Sequence, residues 1–488
     1  YQRRVREIQM RLPNIFDFIN ANEVTPQFSP TLFKFDDENR PLTSNEVRQC
    51  KQNQNIIYFG LIEAGLDIKR LEKVINRIYE TYPLLNNKIV FDEKLQWLRY
   101  ETQPLSPFKF SESFETVTSL DQLSNYVTKS DEFITHSHLT HYELLKAEIP
   151  GELQNVKYIL VQYIPHAFMG GSGCSAQYSL LNKMYSDLAI DFSTKPEVVQ
   201  KSFFRPILAY DKLETLQSAP TCKVVFQLNL TKITGDLPYD HQKDPCVPCS
   251  IHLVPTSSFT KIPEGTFSTS LNTILVAQYA AYAYFHQDLQ EHEQFRISFA
   301  DIKNMQDFLV QNGTLKDLDL TKHLGMAASV LGFMVQGTLQ SSLKDILSQM
   351  TQQINQYQKL NVDQQWARNL KSEFVTLEDN YPVLPANLNF SNVGRNELEK
   401  GPIVQIFGYS TVHLTKDYPQ IILNSGSMKS GKYGTFLVMS KIQEIKQYNQ
   451  EVNFEIFMEI YSYLERIDAK EIKVSDIVQL YAKKWQKE

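Results

Sequence analysis

The chain has 488 residues, with 49 Lys and Arg against 55 Asp and Glu, for a formal net charge of −6; this near-neutral balance, with no block of basic residues, argues against a nucleic-acid binder, which needs a concentrated basic face. Hydrophobic residues at 42% and charged residues at 21% describe an ordinary soluble globular protein and exclude a disordered or fibrous one. Five cysteines are too few for a disulfide-stapled secreted domain and suit a reducing compartment, and the N-x-Ser/Thr triplets at Asn229, Asn312 and Asn389 do not outweigh them.

At roughly 150 residues per domain the length suggests two or three domains. The chain starts at Tyr1, and Arg3, Arg4, Arg6 and Arg11 surround its first turns with Glu7 as the only acid. This reads as an amphipathic first helix, with a remnant of a removed targeting peptide as the alternative. The localisation expected is intracellular, cytoplasmic or organellar, a mitochondrial origin included. The apolar runs Leu271–Phe285 and Leu324–Val335 fall short of the roughly 20 residues a membrane span requires and read as buried helices.

In chain order, Ile56–Leu61 is rich in β-branched and aromatic residues and predicts a strand. Asp67–Tyr82 predicts a helix: Ile68, Leu71, Val74, Ile75, Ile78 and Tyr82 follow the 3.6-residue period, Asp67 suits an N-cap and Pro83 stops it. Asn86–Phe91 and Leu95–Tyr100 look like a hairpin around Asp92. Val156–Ile164 predicts a strand, Pro165–Gly173 a tight Gly-rich loop, and Cys174–Leu188 a helix. Regularity weakens across Asp191–Pro220, where Pro196, Pro206 and Pro220 place a domain boundary and divide the chain into 1–210 and 211–488. Beyond it, Lys223–Leu230, Ser250–Val254 and Phe295–Phe299 read as strands, Ser268–Phe285 as a helix, and Leu324–Ile354 as largely helical. Strands return at Ala386–Phe390, Ile403–His413, Gln420–Asn424 and Thr435–Ser440, and helices close the chain at Phe454–Ile467 and Val474–Trp485. The fold class is α/β in two similar halves.

Three local signals have simpler explanations than chemistry. Gly426 to Lys432 matches phosphate-loop spacing, but Tyr433 replaces the magnesium-holding Ser or Thr and a strand follows where a helix is required, so a hairpin tip explains it better. His241, Cys246, Cys249 and His252 offer soft ligand atoms, but no second CxxC exists and a proline-rich loop accounts for them. His136, His138 and His141 lack a carboxylate arrangement that would define a metal. No metal is expected. The fourth signal is the strongest: a strand ending at Ile164 delivers Pro165, His166, Gly170, Gly171 and Gly173 to the entrance of a helix. An imidazole held there among small residues can face a cleft and accept a proton from a bound hydroxyl or amine.

In these segments the chain resembles the superfamily of CoA-dependent acyltransferases, which includes chloramphenicol acetyltransferase, the plant BAHD acyltransferases, fungal alcohol acetyltransferases and the condensation domains of peptide synthetases. The resemblance runs over nearly the whole chain in the correct order. Leu66–Tyr82 followed by Pro83, Leu84, Leu85 and Asn86 is similar to the family's early helix and "hPlLr" segment; His166 to Gly171 resembles its HxxxDG loop. Ala300, Asp301, Ile302 and Lys303 resemble the "vdlR" strand, and Ser391, Asn392, Val393 and Gly394 the "SNvG" segment.

The resemblance implies two chloramphenicol-acetyltransferase-like domains, each a mixed sheet covered by helices, with a channel at their interface. An acyl-CoA or carrier thioester would enter from one face and an alcohol or amine acceptor from the other, with no permanently bound cofactor. His166 would be the general base, and Ser391 and Asn392 the candidate oxyanion or substrate-binding residues. Two positions are altered: Gly170 stands at the motif Asp and Lys303 at the motif Arg, a pair that in the family holds the histidine loop by an ion pair. Loss of the acid with softening of the base is physically coherent, since one buried charge alone is costly. Gly170 and Gly171 would then shape the loop through backbone conformations that an Asp would not favour, and Asp187 is too distant in sequence to be assigned as a substitute. The competing expectation is a degenerate member serving as a structural or accessory subunit of a protein complex. Acceptor identity and acyl length are not specified by these residues.

Overall fold

The structure is a computed structural model that describes residues 39–42, 46, 55–95, 97–128, 139–201, 249–255, 262, 265–286, 289–304, 324–325, 328–359, 388–394, 398–410, 425–428, 432–440 and 450–485. The basic segment at the chain start, the 210/211 boundary, the strands expected at Lys223–Leu230 and Gln420–Asn424, and His136, His138, His241 and Cys246 lie outside the described residues.

In the first half, β1 (Asn55–Ile62) is buried at every position and leads to α1 (Ile68–Thr81). Asp67 caps α1 by accepting the Arg70 N–H at 3.0 Å, and Leu71, Val74, Ile75 and Ile78 form its buried stripe. Full burial of each such side chain is worth about 1.5–3 kcal/mol, so packing and not intrinsic propensity holds this helix. Pro83 opens a 3₁₀ turn, and β2 (Asn87–Asp92) pairs antiparallel with β3 (Trp97–Thr102) as the predicted hairpin. After β4 (Thr116–Val117), α2 (Leu120–Thr128) and β5 (His141–Ala147), β6 (Tyr158–Pro165) runs antiparallel between β1 and β5 and leads into α3 (Gly171–Ser186).

The second half contributes β7 (Cys249–Pro255), α4 (Phe267–Phe285), β8 (Phe295–Asn304), β9 (Ala328–Gly337), α5 (Leu343–Lys359), β10 (Leu388–Gly394), β11 (Ile403–Ser410), β12 (Ser425–Met428), β13 (Gly434–Ser440), α6 (Gln450–Leu464) and α7 (Val474–Trp485). The first sheet has the order β11-β1-β6-β5-β4 and the second β12-β10-β8-β9, both mixing parallel and antiparallel pairs, while β13 pairs with β7. The edge of the first sheet is thus supplied by a strand of the second half, with Ile56 opposite Ser410 and Phe59 opposite Phe407. One core lies around β1, α1, β6 and α3, and a second around α4. From Leu271 to Tyr284 every α4 residue is buried, as expected of a helix enclosed on all sides. Among the described residues no helix is long and apolar enough to cross a membrane.

The structure corrects the helical reading of Leu324–Ile354. Ala328–Gly337 is a strand that pairs with β8 over ten positions, and helix begins only at Leu343. A continuous apolar run carries no period of its own, and ladder pairing with a neighbour 24 to 42 positions away settles the choice. Gly426–Met428 lies in β12 and β13 begins at Gly434, so strands flank the segment where a phosphate loop requires a helix, and residues 429–431 between them lie outside the described residues. Its Lys432 is committed to an ion pair with Glu63 at 2.6 Å.

Candidate active site

Position follows from β6. Its last seven residues are buried, and its end at Pro165 lies opposite Asn55 of β1, so the loop that follows emerges at the rim of the first sheet. The Phe168 N–H donates to the Pro165 carbonyl at 3.1 Å and folds the chain back, leaving His166 half-buried while Ala167, Phe168 and Met169 are fully covered. Nδ1 of His166 lies 3.3 Å from the Met169 carbonyl oxygen. A carbonyl only accepts, so this contact assigns the ring proton to Nδ1 and leaves Nε2 as the basic nitrogen of the neutral imidazole.

Gly170 is the N-cap of α3, in extended backbone (φ −94°, ψ 175°) that any residue adopts. The expectation that glycine supplies a special backbone conformation here is therefore corrected. Aspartate is a strong N-cap, and glycine in its place costs only a few tenths of a kcal/mol of helix stability, so loss of the acid leaves the helix start intact. The helix begins at Gly171, three residues before the predicted Cys174, because the loop closes early through the Gly170 N–H donating to the Gly325 carbonyl at 3.3 Å and the Cys174 N–H to the Gly170 carbonyl at 3.1 Å. Gly173 sits in the first turn of α3, where an added Cβ would stand 2.6 Å from Cγ of Met169 and 3.0 Å from the Gly325 oxygen.

The loop is also held from behind. The Phe168 ring meets Tyr100 edge-on at 5.4 Å, and the Tyr100 hydroxyl donates to Glu46 at 3.0 Å. Glu46 is forked to the Arg40 guanidinium at 2.8 and 2.9 Å, with neither side chain exposed, and Arg40 stacks over the Tyr100 ring. Burial pushes the Cys174 thiol up, so this residue near the start of α3 stays neutral and is no competing nucleophile.

The other predicted residues lie on the second sheet. Lys303 is in β8 opposite Ser329, and Ser391 and Asn392 are in β10 opposite Gly426 and Ser427. Because β10 runs parallel to β8, with Phe390 opposite Asp301, the "vdlR"-like and "SNvG"-like segments share adjacent strands. Among the described residues, Gly325 of the second half is placed against the His166 loop. Sequence reasoning missed it, together with Phe168, Tyr100, Glu46 and Arg40; no spacing signal links residues so far apart. Cys249 and His252 both lie in β7, three positions apart on opposite faces of the strand, which does not suit a shared metal. His252 instead stacks on Phe454 at 4.0 Å.

No protein-family profile matches the chain, and no curated protein matches it. Solved structures do. Polyketide synthase associated protein 5 from Mycobacterium tuberculosis superimposes with a TM-score of 0.56 at 12% identity, covering 89% of this chain and 99% of that one. The first condensation domain of the CDA synthetase gives 0.54 at 10% identity, covering 91% and 99%. A variant of the starter condensation domain of rhizomide synthetase RzmA, in complex with C8-CoA, gives 0.51 at 12% identity, covering 90% and 97%. The mixed sheets and this near-complete coverage together show that the chain has the mixed α/β fold of these condensation domains.

Proposed function

We propose that the protein transfers an acyl group from acyl-CoA or a carrier thioester to an alcohol or amine, with His166 as general base. The observation that carries the reading is the Nδ1 contact to the Met169 carbonyl, which presents Nε2 as proton acceptor at the end of a buried strand. The acceptor's O–H or N–H proton passes to Nε2 as its oxygen or nitrogen attacks the thioester carbonyl carbon. The resulting oxyanion is held by a donor from the Ser391–Asn392 segment. Collapse breaks the C–S bond, and the leaving thiolate takes the proton back from Nε2, so the histidine is regenerated without a covalent enzyme intermediate. Support for a CoA thioester comes from the similar condensation domain bound to C8-CoA.

A second reading, an accessory subunit of a protein complex, rests on Gly170, which provides no carboxylate at the motif's acid position. Release of free thiol from a panel of acyl-CoA donors, with small alcohols and amines as acceptors, separates the two. The enzyme reading expects turnover that His166→Ala reduces by about 10²–10⁴-fold, the usual worth of a positioned base. Equal background rates for wild type and variant across the panel would sink it, and stable isolation with protein partners would then favour the accessory role.

A further inference from the structure

We propose that Gln200 is a positioning residue for His166, acting through the backbone of Leu324 and Gly325. The inference rests on reading His166 as the base, and it names what holds the loop in place of the altered acid and base of the motif.

Gln200 is 2% exposed, and its side-chain amide pairs with Leu324 at two points: the Leu324 N–H donates to Oε1 at 2.7 Å and Nε2 donates to the Leu324 carbonyl at 2.7 Å. The amide thereby replaces a strand neighbour and fixes the peptide units on both sides of the Leu324 Cα. Gln200 is itself placed, because the Val199 N–H donates to the Thr81 carbonyl at the end of α1 at 2.9 Å. The next residue along, Gly325, turns its carbonyl onto the His166 loop, accepting the Gly170 N–H at 3.3 Å. A Cβ added at Gly173 would stand 3.0 Å from that oxygen and 2.6 Å from Met169 Cγ, so no side chain fits between them. Met169 is the residue whose carbonyl binds Nδ1 of His166. The Gly170 N–H and the Met169 carbonyl belong to one peptide unit, so the hydrogen bonds run from Gln200 through Leu324 and Gly325 to that peptide and end on the imidazole.

A shift of Leu324 and Gly325 moves the partner of the Gly170 N–H, and with it the Met169–Gly170 peptide. The Met169 carbonyl then no longer meets Nδ1, and the ring loses the preference that keeps Nε2 basic. The link is one of geometry: Gln200 touches neither acceptor nor thioester.

The test uses the full chain with ¹⁵N-labelled histidine, the His166 signals being assigned by their loss in His166→Ala. Wild type is expected to show His166 as the Nδ1–H tautomer. Gln200→Leu, which keeps the volume and removes both hydrogen bonds, is expected to give a mixture of tautomers and, where wild type turns over, a kcat at least tenfold lower with the donor KM within threefold. Gln200→Glu keeps the acceptor for the Leu324 N–H and loses the donor to its carbonyl, so it is expected to fall between the two, and it carries the test if Gln200→Leu does not fold. A lowered melting temperature with the wild-type His166 tautomer and wild-type kcat would mean that Gln200 is merely structural, and would overturn the proposal. If wild type itself shows no turnover, the base reading fails on activity, while the tautomer spectra still decide whether Gln200 holds the ring.

Discussion

Asn182 of α3 and Ile403 of β11, 221 residues apart, pair as two strand residues would: the Ile403 N–H donates to Oδ1 at 3.0 Å and Nδ2 donates to the Ile403 carbonyl at 2.8 Å. The second Nδ2 hydrogen goes to the Glu399 carbonyl at 2.8 Å, and Gly401 lies so close that an added Cβ would stand 2.5 Å from the amide. The same device recurs where Gln405 pairs with Tyr433 and Gly434, and where Asn76 pairs with Phe108. A side-chain amide has a donor and an acceptor spaced like those of a peptide, so it satisfies a buried backbone that no strand reaches.

Replacing Asn182 by Leu leaves the buried N–H and carbonyl of Ile403 without their side-chain partner. At about 1–3 kcal/mol for each unsatisfied group, a loss of at least 2 kcal/mol is expected. Asn182→Asp should do no better, because a carboxylate cannot donate to either carbonyl. Urea midpoints measured side by side check this, and a midpoint within error of wild type for Leu would remove the clamp from the account.

The Arg40–Glu46 pair is fully buried, so removing one partner strands a charge. Arg40→Met is expected to cost about 3–5 kcal/mol, and Arg40→Met with Glu46→Leu much less, since a buried pair replaced by apolar groups is often neutral. A double-mutant cycle read by denaturant unfolding tests the ordering. Additive losses would show that the two side chains do not act as a unit.

Gly173→Ala pits two effects against each other. Alanine gains about 1 kcal/mol of helix propensity over glycine, but the contacts with Met169 and the Gly325 oxygen impose overpacking of about 1–3 kcal/mol. Net destabilisation is expected, with lowered turnover from a displaced His166 loop; a stabilised variant would show that the loop yields freely.

Glu63 joins the halves on the surface, hydrogen-bonded to Lys432 and to the Tyr433 hydroxyl. These bonds, that to Lys432 first, hold its carboxyl below the ordinary carboxylate range. A depressed folded-state value stabilises above the unfolded value of about 4.3 and is lost as pH falls through the folded one. Wild type should therefore lose more thermal stability than Glu63→Gln on going from pH 6 to pH 3. With Lys432 54% exposed the difference is small and shrinks in high salt, and identical pH profiles would contradict it.

The outer edge of β9 is closed by two glutamines one turn apart on α5: Gln353 pairs with the N–H and carbonyl of Met334, and Gln349 with those of Gln336, at 2.6–3.0 Å. An open edge templates pairing with another chain. Gln349→Leu with Gln353→Leu is expected to produce concentration-dependent self-association in sedimentation velocity, whereas a variant that sediments as wild type does at every concentration would show that the edge is protected by other means.

Much of the architecture was readable locally. α1, α7 and β1 carry their own period, cap or β-branched run, and each lies within a residue or two of its expected bounds. The loop that carries His166 was readable too, because a buried strand followed by small residues announces a turn at a sheet rim. The apolar stretch after Leu324 was not, since without alternation it fits a helix as well as a strand until β8 pairs with it. Nor could local pattern place β11 in the first sheet, find Gly325 against Gly170, or show that Gln200 grips Leu324. Those relationships are made by hydrogen bonds across more than a hundred residues, and a backbone N–H or carbonyl has the same identity in every residue. Which one meets which is therefore set when the two halves pack, by burial that leaves each polar group only one partner within reach.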